Sequence, residues 1–193
     1  MSPARSRTSR DAIVTAAREI LEADGLDAVL MERVAARVGV RAPSLYKHVA
    51  NRAALIRAVA VSVVDDLAVI MARAAPTDDP AAALRATAIA YRAFVLANPN
   101  GYGLLFAPLA AEMQPDNAAI ADLGRPIVAA VAALSGEDGA LERARTFVAW
   151  AHGAVSMELA SGFRLGGDLD VAYDEGIEMI LAGITARASP ASG

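Results

Sequence analysis

The residues of this sequence best suited to ionic chemistry lie together in one short segment. Lys47 is the only lysine among 193 residues, and it stands between Tyr46 and one of the two histidines of the chain, His48. Phenol, ammonium and imidazole groups can all donate hydrogen bonds, and an ammonium group is a compact cation that binds phosphate. The cluster could therefore hold a polyanion such as nucleic acid. Taken without any surrounding motif, the favoured interpretation is a solvated helix end with a half-buried tyrosine.

The charges of the chain are divided unequally along it. Residues 1–60 hold ten Lys/Arg and six Asp/Glu residues, whereas the remainder holds eight and sixteen, and the net charge of the chain is −4. A basic N-terminal part followed by an acidic remainder indicates a region that meets a polyanion. Small imbalances of this kind are also common on solvated helices, so the charge pattern alone does not decide between the two interpretations.

The composition favours an all-α fold and excludes several kinds of site. Hydrophobic residues make up 55% of the chain and aromatic residues 5%, and alanine, the best helix former, is abundant. The chain has no cysteine, which excludes disulfides and thiolate metal sites. Charges such as Asp65 and Asp66 interrupt the apolar stretches, so we expect no membrane span and a cytoplasmic location. No enzyme motif is present, so we predict no catalytic residue, no cofactor and no metal site.

The helices that position this cluster can be predicted from the spacing of apolar residues and from the turn residues between them. Thr8 or Ser9 can cap a first helix, which precedes a second helix over about residues 31–38. A third helix is expected over about residues 42–48. Only residues 39–41 separate the second and third helices, which is the spacing of a helix-turn-helix.

Turn residues divide the rest of the chain into further helices. A fourth helix follows Asn51 and reaches about residue 74, where Pro76 begins a break. No segment shows the strict alternation of a strand. Later helices are expected at about residues 81–97, 101–113, 117–134, 141–162 and 170–187.

A helix-turn-helix assigns a distinct task to each part of its second helix. The leading turn faces base edges in the major groove of DNA, and neighbouring groups contact phosphates. We expect Leu45 and Val49 to face the core. The candidates for DNA contact are therefore Arg41, Ala42, Pro43 and Ser44, nearest the bases, followed by Tyr46, Lys47 and His48, nearest the phosphates.

Residues 8–60 resemble the DNA-binding head of the TetR family of bacterial transcriptional regulators. The most specific segment is GVRAPSLYKHVANRAAL, and the positions that match the family pattern are Gly25-Leu26, Val34-Ala35, Gly39-Val40, Leu45-Tyr46, His48, Asn51 and Leu55. The resemblance implies a three-helix DNA-binding domain over residues 1–50, a linking helix over 51–74, and a ligand-binding and dimerisation domain over 75–193.

Three positions depart from the family pattern. Leu30 stands where the family usually has a threonine, Arg41 where it has a small hydroxyl residue, and Val49 where it has phenylalanine. Leu30 can neither cap a helix nor bind phosphate. Arg41 loses a cap worth about 1 kcal/mol, although its guanidinium suits a phosphate or a guanine edge.

The C-terminal part contains two apolar helices that suit a dimer interface. The helix at about 141–162 has two apolar stripes, so it needs two partners, its own core and an identical subunit. In TetR-like proteins the last two long helices form a four-helix interface, and the segment from Trp150 to Gly153 resembles a C-terminal subfamily named for its Trp-His-Gly residues. The interface candidates are Val148, Val155, Leu159, Ile177, Ile180, Leu181 and Ile184.

An effector pocket in such a domain should be apolar with few polar groups. Each candidate residue could instead be ordinary core, and residue by residue the core assignment is favoured. The candidates are Tyr91, Phe94, Tyr102, Phe106, Met113, Trp150, His152 and Met157.

The function expected from these features is that of a DNA-binding repressor. It would bind a palindromic operator as a homodimer and be released by a small apolar effector. A ligand-independent activator or architectural DNA binder is the alternative, and an enzyme with an all-helical body is disfavoured because no catalytic constellation is present.

Overall fold

The computed structural model describes residues 9–74 and 77–186, and these residues form helices without any strand among them. The predicted all-α fold is confirmed. The α-helices are α1 (Arg10–Asp24), α2 (Met31–Val38), α3 (Ala42–Leu45), α4 (Arg52–Ala74), α5 (Pro80–Ala97), α6 (Pro99–Leu104), α7 (Asn117–Ser135), α8 (Ala140–Leu159) and α9 (Leu169–Ala186), with short 3-10 turns at Leu26–Ala28 and Ala111–Met113.

The helices belong to two compact units. The first unit comprises Met1–Asp66 and Asn98–Ala119, and the second unit comprises Leu67–Ala97 and Ile120–Gly193. These bounds differ from the three functional segments predicted from the sequence, because residues 98–119 join the N-terminal helices and the last turns of α4 join the second unit. The functional segments stay a prediction.

The first unit is built around the apolar stripe of α1. The Ser9 side chain accepts a hydrogen bond from the Ala12 backbone N–H at 3.1 Å, which caps the helix as predicted. Thr8, the other candidate cap, lies outside the described residues, as does Pro76. The stripe of α1, which includes Ile13 and Ile20, is buried with residues from the other helices of the unit, among them Val34, Leu45, Leu55, Val59 and Leu104.

The helix predicted over residues 101–113 is wrong. Helix α6 ends at Leu104, and Pro108 interrupts the chain before the next turn, because proline has no N–H to donate and disfavours helical geometry at the residue before it. The Glu22 carboxylate of α1 accepts hydrogen bonds from the N–H groups of Asn100 at 3.1 Å and Gly101 at 2.8 Å. A Cβ atom at Gly101 would lie 2.6 Å from Glu22 Oε1, so a larger residue here would have to displace the end of the Glu22 side chain.

The second unit packs α5 against α8 and α9. Leu84, Phe147 and Ile177 are fully buried in it. The Trp150 ring stacks on the Tyr173 ring at 5.1 Å between centroids, and the Tyr173 hydroxyl donates a hydrogen bond to the Ala88 carbonyl at 3.0 Å. These contacts place aromatic side chains in the packing between helices.

Helix α7 is the one described helix that is long and apolar enough, by length and composition alone, to cross a membrane. No membrane span was expected from the sequence, and Asp122 and Arg125 interrupt the apolar run of this helix. A single helix of this kind is weak evidence for a membrane, since a core helix of a soluble protein passes the same test. In the second unit, α7 buries Ile127 and Val131.

Candidate nucleic-acid interface

The turn between α2 and α3 is shaped by a glycine in the left-handed conformation. Gly39 has φ 81° and ψ 33°, and its N–H bonds the carbonyls of Ala35 and Ala36. The Val40 N–H also bonds the Ala35 carbonyl, at 2.9 Å. Residues with a Cβ atom rarely adopt this conformation, so glycine ends α2 here and reverses the chain within three residues. The predicted helix-turn-helix is thus present.

Helix α3 is shorter than predicted. Its α-helical part ends at Leu45, and residues 46–48 form a turn. The His48 N–H and the Val49 N–H both bond the Leu45 carbonyl, at 2.8 and 2.9 Å. The prediction of an α-helix through His48 was wrong, because the His48 N–H bonds a carbonyl three residues earlier, as in a turn, instead of four. Tyr46 nevertheless keeps right-handed helical backbone angles.

The α3 segment is held by two buried residues and leaves the seven DNA-contact candidates at the surface. Leu45 is fully buried and Val49 nearly so, as expected for core residues. Among the candidates, Ala42 and Ser44 are half-buried. The exposed candidates are Arg41, Pro43, Tyr46, Lys47 and His48.

The N-caps of α2 and α3 lack side-chain hydrogen bonds. Leu30 is the N-cap of α2 and Arg41 the N-cap of α3, and neither side chain bonds the helix it precedes. The side-chain cap that Leu30 and Arg41 were expected to lose, relative to the usual family residues, is therefore absent at both positions. Leu30 is 44% exposed, so its apolar side chain stands at the surface next to the helix-turn-helix.

The cations of the helix-turn-helix divide into paired and unpaired groups. On α2, Arg33 pairs with Asp24 at 2.6 Å and Arg37 pairs with Glu19 at 2.7 Å. Within the described part of the chain, Arg41 and Lys47 form no ion pair. The uncompensated positive charge of the motif is therefore at the start of α3 and in the turn after it.

Arg52, at the start of α4, holds the linker between α1 and α2, a role that the sequence analysis missed. Its Nε donates to the Val29 carbonyl at 2.7 Å and its Nη2 to the Leu26 carbonyl at 2.8 Å. These bonds satisfy carbonyls in the chain that leads into α2. No sequence signal separates such an arginine from a solvent-facing one, because its acceptors are backbone groups more than twenty residues away.

Comparison with known proteins identifies this arrangement. Residues 13–59 match the family model described as bacterial regulatory proteins, tetR family, and residues 84–180 match that of the tetracyclin repressor-like C-terminal domain. The second match alone spans half of the chain. The chain belongs to the TetR family.

Relatives across this family cover nearly the whole chain. An HTH-type transcriptional regulator of Mycobacterium tuberculosis, Rv0681, is 29% identical over 185 residues, which is 94% of this chain and 84% of the relative. A protein of unknown function from Rhodococcus sp. RHA1 has the same fold, with a TM-score of 0.80 at 24% identity, covering 95% of this chain and 98% of that one. A TetR protein from Acinetobacter baumannii AYE in complex with minocycline has a TM-score of 0.69 at 22% identity, covering 95% and 99%. This TetR-family member is therefore a DNA-binding transcriptional regulator.

The interface candidates in the C-terminal domain of this TetR-family chain fall into two groups. Four are buried within the second unit, Val155, Ile177, Leu181 and Ile184, and Ile180 is half-buried. Val148 and Leu159 are exposed on α8, at 43% and 40%. The sequence placed all seven in one predicted interface because apolar residues recur along both stripes of α8. Only the packing of the folded chain shows which of them are buried in the core and which are exposed.

The pocket candidates do not line a cavity that lies between three helices of the second unit. Tyr102, Phe106 and Met113 belong to the first unit, and the other five belong to the second. The second unit contains a cavity of about 110 Å³ between α4, α5 and α7, and none of the eight candidates lines it. Its walls are Ala68, Met71, Ala72, Ala83, Leu84, Thr87, Asp122, Leu123, Pro126, Ile127 and Ala130.

Three of the aromatic pocket candidates contact other aromatic rings, and the pocket assignment stays a prediction. Trp150 stacks on Tyr173, and Tyr102 packs on Phe106 with 5.1 Å between ring centroids. Phe94 is buried, whereas Phe106 and Met157 are exposed at 61% and 45%. Among the described residues, no group of three or more carboxylates and histidines is placed to hold a metal ion.

Proposed function

We propose that this TetR-family regulator is a cytoplasmic repressor that binds a palindromic operator as a homodimer and leaves it when a small apolar effector binds. The observation that carries the proposal is the exposed, unpaired charge of Arg41 and Lys47 on a helix-turn-helix anchored by Leu45. A cation that has no internal ion pair does not have to break one when it binds a phosphate.

Within this proposal the residues of the α3 segment divide the work of recognition. Arg41, Ala42, Pro43 and Ser44 precede or form the single turn of α3, the part of a recognition helix that approaches base edges. Arg41 can bond a guanine edge with two donors, and Ala42 and Pro43 suit thymine methyl groups. Tyr46, Lys47 and His48 follow in the exposed turn and are assigned to backbone phosphates.

The dimer would form through the exposed apolar residues of the last two helices. Val148 and Leu159 on α8 are exposed, and Met179 on α9 is 73% exposed. An apolar surface on long helices supports association with a second copy of the chain. The buried candidates Val155, Ile177, Leu181 and Ile184 would support these helices from within rather than touch the partner.

The effector is proposed to bind the cavity of the second unit. The cavity walls are mainly apolar, which suits a small apolar molecule. The minocycline complex of the related TetR protein from Acinetobacter baumannii supports ligand binding within this fold. The effector would shift the population between a DNA-binding dimer geometry and a released one.

The alternative function is a DNA-binding activator or architectural protein that responds to no ligand. The small size of the cavity favours it, because about 110 Å³ is less than the several hundred Å³ of most ligand pockets. Operator release by a compound that binds the cavity would exclude this alternative.

The decisive experiment is selection of bound sequences from random double-stranded DNA by the full chain. A palindromic motif with half-sites about 34–36 Å apart would support both DNA binding and the dimer. Enrichment of a single asymmetric half-site would contradict the dimer, and the absence of any enriched motif would contradict sequence-specific regulation.

A further inference from the structure

Most arginine and lysine side chains in the described part of the first unit have a partner within the protein. Four arginines form ion pairs with carboxylates, and Arg52 donates hydrogen bonds to two backbone carbonyls. The exposed cations of this unit that form no ion pair among the described residues are Arg10, Arg41 and Lys47. Arg41 and Lys47 are assigned to DNA in the proposed function, whereas Arg10 lies on α1, outside the helix-turn-helix.

Two ion pairs show the direction in which α1 runs beside α2. Arg33 of α2 pairs with Asp24 of α1 at 2.6 Å, and Arg37, one turn later on α2, pairs with Glu19 of α1 at 2.7 Å. Residue numbers rise along α2 while they fall along α1, so the two helices are antiparallel. The end of α2 therefore lies beside the first half of α1.

The first turn of α1 consequently lies at the same end of the unit as the turn between α2 and α3. Val14 of α1 packs against the same core as Val38, the last residue of α2, and Val40 of the turn. Arg10 lies four residues before Val14, which is about 6 Å further along the helix axis. Arg10 is thus at the end of the unit where Arg41 precedes α3.

The sequence around Arg10 is positively charged. Asp11 is the only acidic residue in residues 1–18, and its carboxylate forms no ion pair among the described residues. Arg5 and Arg7 precede it in the sequence and lie outside the described residues. Arg10 is also the first residue of α1, where the helix dipole disfavours a positive charge. A cation placed against the dipole and without an internal ion pair indicates an anion outside the protein.

We infer that Arg10 is a further DNA contact of this protein, and that its guanidinium binds a backbone phosphate beyond the base pairs that α3 contacts. The inference rests on the proposed function, because it extends the DNA-binding surface of the same unit. A guanidinium is always charged and can donate two parallel hydrogen bonds to phosphate oxygens.

A phosphate suits the position of Arg10 better than a base edge does. The major groove admits one α-helix, and in the proposed function α3 occupies it. A residue on a neighbouring helix then meets the sugar–phosphate backbone that borders the groove. Phosphate contacts hold a protein on the duplex and carry no sequence information. Arg10 would therefore strengthen binding to any DNA sequence and help to fix the orientation of the first unit on the duplex.

Binding of the full chain to two duplexes at several salt concentrations tests this inference. One duplex carries the sequence selected by the parent from random DNA, and the other is an unselected sequence of the same length. Arg10→Gln removes the charge and Arg10→Lys keeps it. Arg164→Gln is the matched control, because Arg164 is exposed and forms no ion pair among the described residues but belongs to the second unit. Thermal unfolding verifies that each variant is folded.

The expected result is a loss of affinity that does not depend on the DNA sequence. For each bound subunit, Arg10→Gln should weaken binding to both duplexes by about two- to fivefold. It should also reduce the slope of log K against log salt concentration by about 1, since one phosphate contact is lost. The sequence selected from random DNA should stay that of the parent. Arg10→Lys should keep the slope, and Arg164→Gln should bind like the parent.

Neutral methylphosphonate groups placed one at a time along the selected duplex locate the contact. Neutralising the phosphate that Arg10 binds should weaken binding of the parent but leave binding of Arg10→Gln unchanged. This phosphate should lie outside the base pairs whose preference changes in Arg41→Ala. Equal sensitivity of the parent and Arg10→Gln at every phosphate would overturn the contact.

Three further outcomes would count against the inference. An unchanged salt slope in Arg10→Gln, with a parent that binds both duplexes, would overturn the phosphate contact alone. Equal losses in Arg10→Gln and Arg10→Lys would overturn the role of the charge, and a changed selected sequence in Arg10→Gln would assign Arg10 to base edges instead. A folded parent that binds neither duplex would contradict the proposed function and this inference with it, so the two failures are distinguishable.

Discussion

One arginine of the helix-turn-helix, Arg41, and one arginine of the second unit, Arg92, are used in opposite ways. Arg41 is exposed and has no ion-pair partner among the described residues. Arg92 on α5 is only 14% exposed and makes two hydrogen bonds of 2.8 Å to the Glu158 carboxylate, with a further ion pair to Asp170 at 2.8 Å. An arginine side chain is thus available to bind a partner molecule in the first unit, whereas in the second unit an arginine side chain is bound by carboxylates of the protein itself.

The positive charge of Arg92 interacts with an aromatic ring as well as with two carboxylates. Its guanidinium lies 5.0 Å from the centroid of the Tyr173 ring, a cation–π contact. The hydrogen bonds to Glu158 raise the pKa of Arg92 above its usual value, and burial raises the pKa of the Tyr173 hydroxyl. Arg92 therefore joins α5 to α8 and α9. The difference teaches that an exposed cation without a partner is a better guide to a binding surface than the number of cations in a region.

The largest effect is expected from breaking the Arg92 pairing. Arg92→Leu leaves the Glu158 carboxylate, 18% exposed, without its partner, and should lower the free energy of unfolding by about 3 kcal/mol. Urea unfolding measures the change. Arg145→Leu, at an exposed position of the same helix as Glu158, is the control and should change stability by less than about 0.5 kcal/mol. Equal effects of the two substitutions would show that the pairing contributes little.

A smaller but more specific effect is expected at Arg41. Arg41→Ala should lose about 1–3 kcal/mol of discrimination at one operator position, because a bidentate contact to a base edge is removed. Selection from random DNA by the variant measures the change in preference. Arg37→Ala is the matched control, since Arg37 is already paired with Glu19 on the preceding helix. A motif unchanged from that of the parent would exclude Arg41 from base recognition.

Lys47 is expected to affect affinity without affecting sequence preference. Lys47→Ala should reduce the slope of log K against log salt concentration by about 1, because one phosphate contact is lost. Lys47→Arg should keep the slope, since it keeps the charge. Both variants should unfold like the parent, because the side chain is exposed and has no internal ion pair. A slope that does not change in Lys47→Ala would remove this residue from the phosphate contacts.

The smallest effect is expected at the exposed pair of Arg85 and Glu178. The hydrogen bond from Arg85 lowers the pKa of Glu178, and the same bond raises the pKa of Arg85. A lowered carboxylate pKa stabilises the fold above the ordinary pKa of glutamate, and this contribution is lost as the pH falls through the lowered pKa. The melting temperature of Arg85→Gln should therefore lie slightly below that of the parent at pH 7 and converge with it in acid. A difference that persists in acid would point to another cause.

Much of the first unit could be predicted because its signals are local. Helix ends at Gly25 and Gly39 depend on the conformational freedom of single residues, and the Ser9 cap involves an atom only three residues away. The burial of Leu45 and Val49 follows from helical spacing. The early end of α3 and the break before Pro108 were missed, because short segments offer few residues from which to establish a period.

Burial in the second unit could not be predicted as well, because its helices are apolar on more than one side. Val148 and Val155 lie two turns apart on α8, yet one is 43% exposed and the other fully buried. The aromatic residues chosen for a pocket belong to the packing between helices or to the surface, while the cavity is lined largely by small residues such as Ala83 and Ala130. Small residues carry no distinctive pattern in an alanine-rich chain.

The sequence resembles a family of DNA-binding regulators, and by itself it determined that this protein is all-helical and contains a helix-turn-helix. These features depend on neighbouring residues, whose spacing can be read directly. Only the tertiary structure decided that Arg37 is paired with Glu19, whereas Arg41 has no ion pair among the described residues. Whether a polar group has a partner depends on residues far away in the chain, and only folding brings them together.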